Sequence, residues 1–103
     1  MAYTDPNPFK LPRRLEAEDG VNIEQISGNR TLTYSDSQYQ RLDAQSGGLD
    51  VILPAEKNGS WFVINCQGNA LTIKDANGAT VKALSVGEGA LVCCNGTAWK
   101  QFL

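Results

Sequence analysis

The chain has 103 residues, 42% of them hydrophobic and 19% charged, with a formal net charge of −2. That length points to one domain with a thin core, and the charge gives no electrostatic reason to expect nucleic acid or an anionic membrane as a partner. There is no histidine, which removes cysteine–histidine and serine–histidine catalysis and the commonest metal ligand.

The first stretch, "TDPNPFKLPRR", holds Pro6, Pro8 and Pro12. Each proline fixes φ and pushes its predecessor toward extended backbone. The stretch reads as an extended arm whose large apolar groups, Phe9 and Leu11, stand beside Arg13 and Arg14. It is read either as a plain terminal tail or as an arm that lies on a partner. It has no apolar core of the kind a secretory leader needs, so the sequence-level expectation is a protein made and folded in a cytoplasm. Residues 15–28 are a lead-in. "EAED" could open a helix, but Gly20 and the β-branched Val21 and Ile23 oppose one, and their alternation suits a short strand.

From residue 29 to 103 the pattern is β throughout. "TLTYSD" alternates, with Leu32 and Tyr34 on one face. "YQRLDA" is a second short strand, and "LDVILPA" puts Leu49, Val51 and Leu53 on one face. "SWFVINC" is apolar on both faces, as a central strand is. "LTIKD", "TVKAL", "ALVCC" and "AWKQFL" continue the pattern. Asn58-Gly59, Asn77-Gly78 and Asn95-Gly96 read as type I′ hairpin turns, with further turns at Gly68-Asn69 and Gly87–Gly89. Short strands so spaced predict an all-β fold: a compact antiparallel β-sandwich or small barrel over 29–103, carrying an extended arm and lead-in over 1–28.

Chemistry-bearing residues are few. Asn29, Asn58 and Asn95 open formal glycosylation sequons, two of them inside turns. "DANG" at 75–78 begins like a calcium loop but lacks the later ligands. Asp36, Asp43 and Asp50 read as solvated turn aspartates. These features predict no catalytic residue, no cofactor and no metal. Trp61 and Trp99, with Tyr34 and Tyr39, read as core or subunit-interface aromatics, or as a platform for sugars. Cys93 and Cys94 are adjacent in one strand, so one faces inward and the other outward. With Cys66 they are either inert packing thiols or disulfide candidates.

Residues 31–99 resemble small bacteriophage virion proteins. The likeness lies in the order of "YQRLD", "DVILP", "LTIKD", "GATV", "GEGALV" and "CNGTAW". The resemblance implies a head-decoration or fibre-like β-module, often trimeric. It predicts a non-enzymatic capsid decoration (cement) protein, located in the virion after assembly in the host cytoplasm. Such a protein binds the major capsid protein as a homotrimer, with Phe9, Leu11, Arg13 and Arg14 on the shell and no nucleic acid or membrane partner. The alternatives are a neck, collar or tail-fibre component and a carbohydrate-binding β-sandwich module. Release of a virion into oxidising surroundings predicts a disulfide joining Cys66 to Cys93 or Cys94, between subunits rather than within one.

Overall fold

The structure, a computed structural model, describes residues 20–103. Among them are nine strands and no helix: β1 (Val21–Ile26), β2 (Arg30–Thr31), β3 (Tyr39–Ala44), β4 (Leu49–Ile52), β5 (Trp61–Gln67), β6 (Leu71–Lys74), β7 (Thr80–Leu84), β8 (Gly89–Cys94) and β9 (Trp99–Gln101). They form a five-stranded sheet in the order β1-β3-β5-β8-β9 and a four-stranded sheet in the order β2-β4-β6-β7. The all-β, sandwich-like expectation holds, and the barrel does not, because neither sheet closes on itself.

The antiparallel expectation is corrected. The pairs β1–β3, β3–β5, β2–β4 and β4–β6 are parallel, and only β5–β8, β6–β7 and β8–β9 are antiparallel. Parallel neighbours need a crossover connection, usually a helix. Here the crossover is a strand of the opposite sheet. The chain runs β1 to β2, β3 to β4 and β5 to β6, crossing between sheets each time and stacking three successive rungs. Eighteen residues separate Val21 from its partner Tyr39, and twenty-four separate Tyr39 from Val63. The strands β7, β8 and β9 then return antiparallel. Val21–Ile26, which precedes residue 29, pairs over its full length with β3 and is an integral strand of the sheet.

The corners hold the rungs in register. The amide of Gln45 donates to the Ile26 carbonyl at 2.9 Å, and Asn69 Nδ2 donates to the Ala44 carbonyl at 2.9 Å. At the other side, Leu32 N–H donates to the Ile52 carbonyl and Leu53 N–H to that of Lys74, each at 2.8 Å. Gly68 turns the third corner at φ +79°, and a Cβ there would overlap Asp43 Oδ1 and the Ala44 carbonyl of the rung before. A side chain at this position therefore meets both backbone strain and a collision.

The Asn-Gly turns are also corrected. A type I′ turn needs positive φ at both central residues, yet no residue other than glycine has positive φ among those described. Asn77-Gly78 and Asn95-Gly96 do sit in hairpins, β6–β7 and β8–β9. Asp75 Oδ1 organises the first by accepting from the amides of Asn77 and Ala79, and Asn95 Oδ1 the second by accepting from those of Thr97 and Ala98. Asn58-Gly59 is no hairpin, since it connects β4 of one sheet to β5 of the other.

The core lies between the sheets. Leu42, Phe62, Ile64, Cys66 and Val92 from the larger sheet meet Val51, Leu71, Ile73 and Leu84 from the smaller, with Leu32 and Leu53 at the corners. Full burial of each such side chain contributes roughly 1.5–3 kcal/mol. Leu32 is buried as expected, but Tyr34 is not on its face; it is 45% exposed.

Candidate functional site: an apolar outer face and a polar cleft

Strand alternation assigns the outer face of the five-stranded sheet. In β5, Phe62, Ile64 and Cys66 point inward, so Trp61, Val63, Asn65 and Gln67 point outward. The registers then align an outer row across the sheet: Val21 of β1, Tyr39 of β3, Val63 of β5 and Leu91 of β8. The row continues past β9, where Phe102 N–H donates to the Leu91 carbonyl at 2.6 Å and Leu91 N–H donates to the Leu103 carbonyl at 2.8 Å. Trp61 adjoins the row and meets the edge of Tyr39, ring centroids 5.7 Å apart. Tyr39, Trp61, Val63, Leu91 and Leu103 line an open groove of about 360 Å³. Ile23, Phe102 and Leu103 are each at least 70% exposed and Val21 is 53% exposed. Apolar outer surface of this kind lies outside the core and without a covering element among the described residues.

β1 explains part of this surface. Its alternation is present, but its apolar side faces out. Its inner side ends on the core residue Ile26, but Asn22 and Glu24 before it are polar and feed a hydrogen-bonded chain. Buried Gln40 donates to the Ser37 carbonyl at 2.6 Å and accepts from Asn22 Nδ2 at 2.7 Å; Asn22 also donates to Glu24 at 2.9 Å. Arg30 joins Glu24 at 3.1 Å and Asp36 at 3.0 Å. The hydrogen bond from Asn22, then Arg30, brings the Glu24 carboxyl below its ordinary value against the opposing effect of burial. Burial pushes Asp36 up, but the hydrogen bonds from Thr33 and Arg30 outweigh it and leave its carboxyl lowered. Burial likewise disfavours the charged Arg30, and its two carboxylate partners more than compensate, so its value is raised.

A second concavity, polar and of about 400 Å³, opens between the 34–38 segment and the 57–60 turn. Tyr34, Asp36, Gln38, Lys57, Asn58 and Ser60 line it, with Trp61 standing between it and the apolar groove. The Tyr34 hydroxyl donates to the Ala55 carbonyl, and Lys57 Nζ lies 5.4 Å from the centre of its ring.

The sequence-predicted residues fall as follows. Trp99 is a core residue: it packs against Phe62 at 5.9 Å and donates from Nε1 to the Pro54 carbonyl at 2.9 Å. Trp61 is 7% exposed on the outer face, so neither indole is an exposed platform. Asp36 and Asp50, expected as solvated, are half-buried ion-pair partners, the latter with Lys74 at 3.1 Å. The cysteines do divide between faces, Cys94 buried inward and Cys93 half-buried outward, and all three thiols are free. Within one chain the expected Cys66 cross-link is absent. Cys93 pairs with Trp61 at one end of β5, while Cys66 lies five residues along it, about 16 Å at 3.3 Å per residue. A disulfide needs Cα atoms within about 7 Å. Cys66 is also fully buried, and its Sγ donates to the Asn69 carbonyl at 3.0 Å. Burial pushes the Cys66 and Cys93 thiols up; nearby Glu88 adds to this at Cys66, and a backbone hydrogen bond from Leu71 opposes it. Phe9, Leu11, Arg13 and Arg14 lie outside the described residues.

Sequence reading missed Val21, Ile23, Tyr39, Leu91 and Phe102 as one surface. Its only trace was the two-faced apolarity of "SWFVINC", which already left Val63 without a place in the core. Among the described residues no group of three or more potential metal ligands comes together. No protein-family model, no curated protein and no solved structure matches this chain.

Proposed function

We propose that this chain is a non-catalytic assembly protein of a bacteriophage particle, a head-decoration protein that associates as a homotrimer and reinforces the shell by binding the major capsid protein. The observation that carries the assembly part is the apolar row Val21–Tyr39–Val63–Leu91 on the outer face of the five-stranded sheet. A second copy suits this face because its charges are sparse and of both signs. Arg41 and Lys100 oppose Asp43, so copies meeting there bury apolar surface without concentrating one charge. The virion location and the capsid partner rest on the resemblance of residues 31–99 to phage structural proteins. The arm residues Phe9 and Leu11 are assigned to the shell and the sheet face to the trimer.

Native mass spectrometry tests the assembly, with Ile23→Lys as the variant. Ile23 is 70% exposed, so the substitution leaves the fold stable within about 0.5 kcal/mol. The intact chain is expected as a trimer and the variant as a folded monomer. A chain that stays monomeric at every concentration, or a variant that assembles equally well, overturns the reading. Co-sedimentation with capsid shells of the chain lacking residues 1–14 tests the arm, and undiminished binding removes its role.

The stacked parallel rungs favour one second reading, a fibre or collar component. β1 and β2 are edge strands of their sheets and form the first described rung, and rungs of this kind extend along one axis by adding further strands. Binding to tail or neck assemblies but not to shells would select it.

A further inference from the structure

We infer that the polar cleft between Tyr34 and Ser60 is a binding site for a neutral saccharide, separate from the apolar face used in assembly. Its size, about 400 Å³, lies within the range of small-ligand sites. Its lining has the three kinds of group that sugar recognition needs. Tyr34 is 45% exposed and offers a ring face to the C–H side of a pyranose. The hydroxyl of Tyr34 is held on the Ala55 carbonyl, which fixes the ring in place. Gln38 and Asn58 each carry an amide, both donor and acceptor, and Ser60 adds a hydroxyl. None of these three side chains hydrogen-bonds to another described residue, whereas the neighbouring Asp36 is spent on Arg30 and Thr33. Vicinal hydroxyls present a donor and an acceptor side by side, which matches paired amides.

The charges argue against other ligands. Asp36 faces the cleft, so an anion entering toward Lys57 would meet a carboxylate. A metal ion would find one carboxylate, already paired. An apolar ligand would strip water from the free amides without replacing their hydrogen bonds. Lys57 rests on the Tyr34 ring in an exposed cation–π contact and is displaced at little cost when a sugar stacks there. The turn that carries Asn58 is anchored, because Gly59 N–H donates to the Cys94 carbonyl at 3.0 Å and the Ser60 carbonyl accepts from Cys94 N–H at 2.9 Å. The Asn58 wall of the cleft is therefore tied to the β5–β8 pair.

Amide-resolved NMR titration of the full chain with maltose, lactose and N-acetylglucosamine, each in turn, tests the inference. The expected result is a shift confined to the amides of 34–38 and 57–60, with at least one of the sugars, at a Kd on the order of 1–10 mM. Tyr34→Ala should weaken that binding about tenfold or more, and Gln38→Ala by several-fold. Tyr34→Phe keeps the ring, loses only the hydroxyl contact, and should retain binding, which separates stacking from folding damage. No shift at these amides with any of the three sugars at about 50 mM, well above that expected Kd, overturns the inference. So does equal binding by Tyr34→Ala, or stronger binding of inorganic phosphate than of the sugars. Loss of trimer formation leaves this result untouched, so the two readings fail separately.

Discussion

At the scale of single residues, two positions carry consequences that composition hides. Gly68 is one glycine among ten, yet it alone combines positive φ with backbone and side-chain oxygens where a Cβ would stand. Gly68→Ala should destabilise the chain by about 2–4 kcal/mol, from left-handed strain plus displacement of the Asp43–Ala44 corner. Gly47→Ala, at an exposed position with open space around it, should change stability far less. Urea denaturation of both variants measures the difference, and equal midpoints would refute the role given to this corner. The cysteines are the second case. Cys93 is half-buried and outward, whereas Cys66 and Cys94 are core residues. In the folded chain, iodoacetamide should label Cys93 first and leave the other two until unfolding. Burial raises the Cys93 thiol, so its labelling near pH 7.5 should be slower than that of a free cysteine. Mass mapping of the alkylated chain reads both effects.

At the scale of elements, β1 is the instructive strand. Its inward side is Asn22, Glu24 and the core residue Ile26 rather than Val21 and Ile23, and Arg30 of β2 ties Glu24 to Asp36 in the following loop. This network fastens the start of the first rung to the body, while Ile26 anchors its end in the core. Glu24 and Asp36 both have carboxyls lowered on folding. The stability they contribute is full above the ordinary carboxylate range near pH 4 and is lost as pH falls through the lowered folded values. Both side chains are partly exposed, so solvent screens the pairs. Arg30→Ala should cost about 1 kcal/mol at pH 7, and the gap from the parent chain should narrow by pH 3. Thermal melts at the two pH values check the sign, and a gap that widens on acidification would contradict it.

At the scale of the whole molecule, two facing sheets leave one outer surface apolar. A body of this size has little apolar surface to spare, so residues such as Val63 and Leu91 outside the core call for a covering. Cys93 stands on that same face, beside Trp61 across the β5–β8 ladder. If copies associate there, raising the protein concentration should slow Cys93 alkylation in the parent chain and leave it unchanged in Ile23→Lys. Rates independent of concentration in both would place the assembly surface elsewhere. Among the described thiols Cys93 is the half-buried one on that face, whereas Cys66 and Cys94 are buried.

The amino-acid sequence by itself determined the β class, the approximate strands and the inward residues of most of them. Period-2 alternation in "LDVILPA", "LTIKD" and "ALVCC" is a local property, set by which side of each strand is apolar. It also separated Cys93 from Cys94, since neighbours in a strand cannot share a face. What only the tertiary structure decided was which strand lies beside which. Alternation is the same in parallel and antiparallel sheets, and an Asn-Gly pair bends the chain without saying whether the next strand returns beside the last or crosses to the opposite sheet. Asn77-Gly78 does the first and Asn58-Gly59 the second. The apolar row and the polar cleft follow from that choice. Val21, Tyr39, Val63 and Leu91 lie far apart in the chain and become one surface only through two parallel registers and the antiparallel β5–β8 register, while Tyr34 shares a cleft with Asn58 only because the chain crosses between sheets on the way.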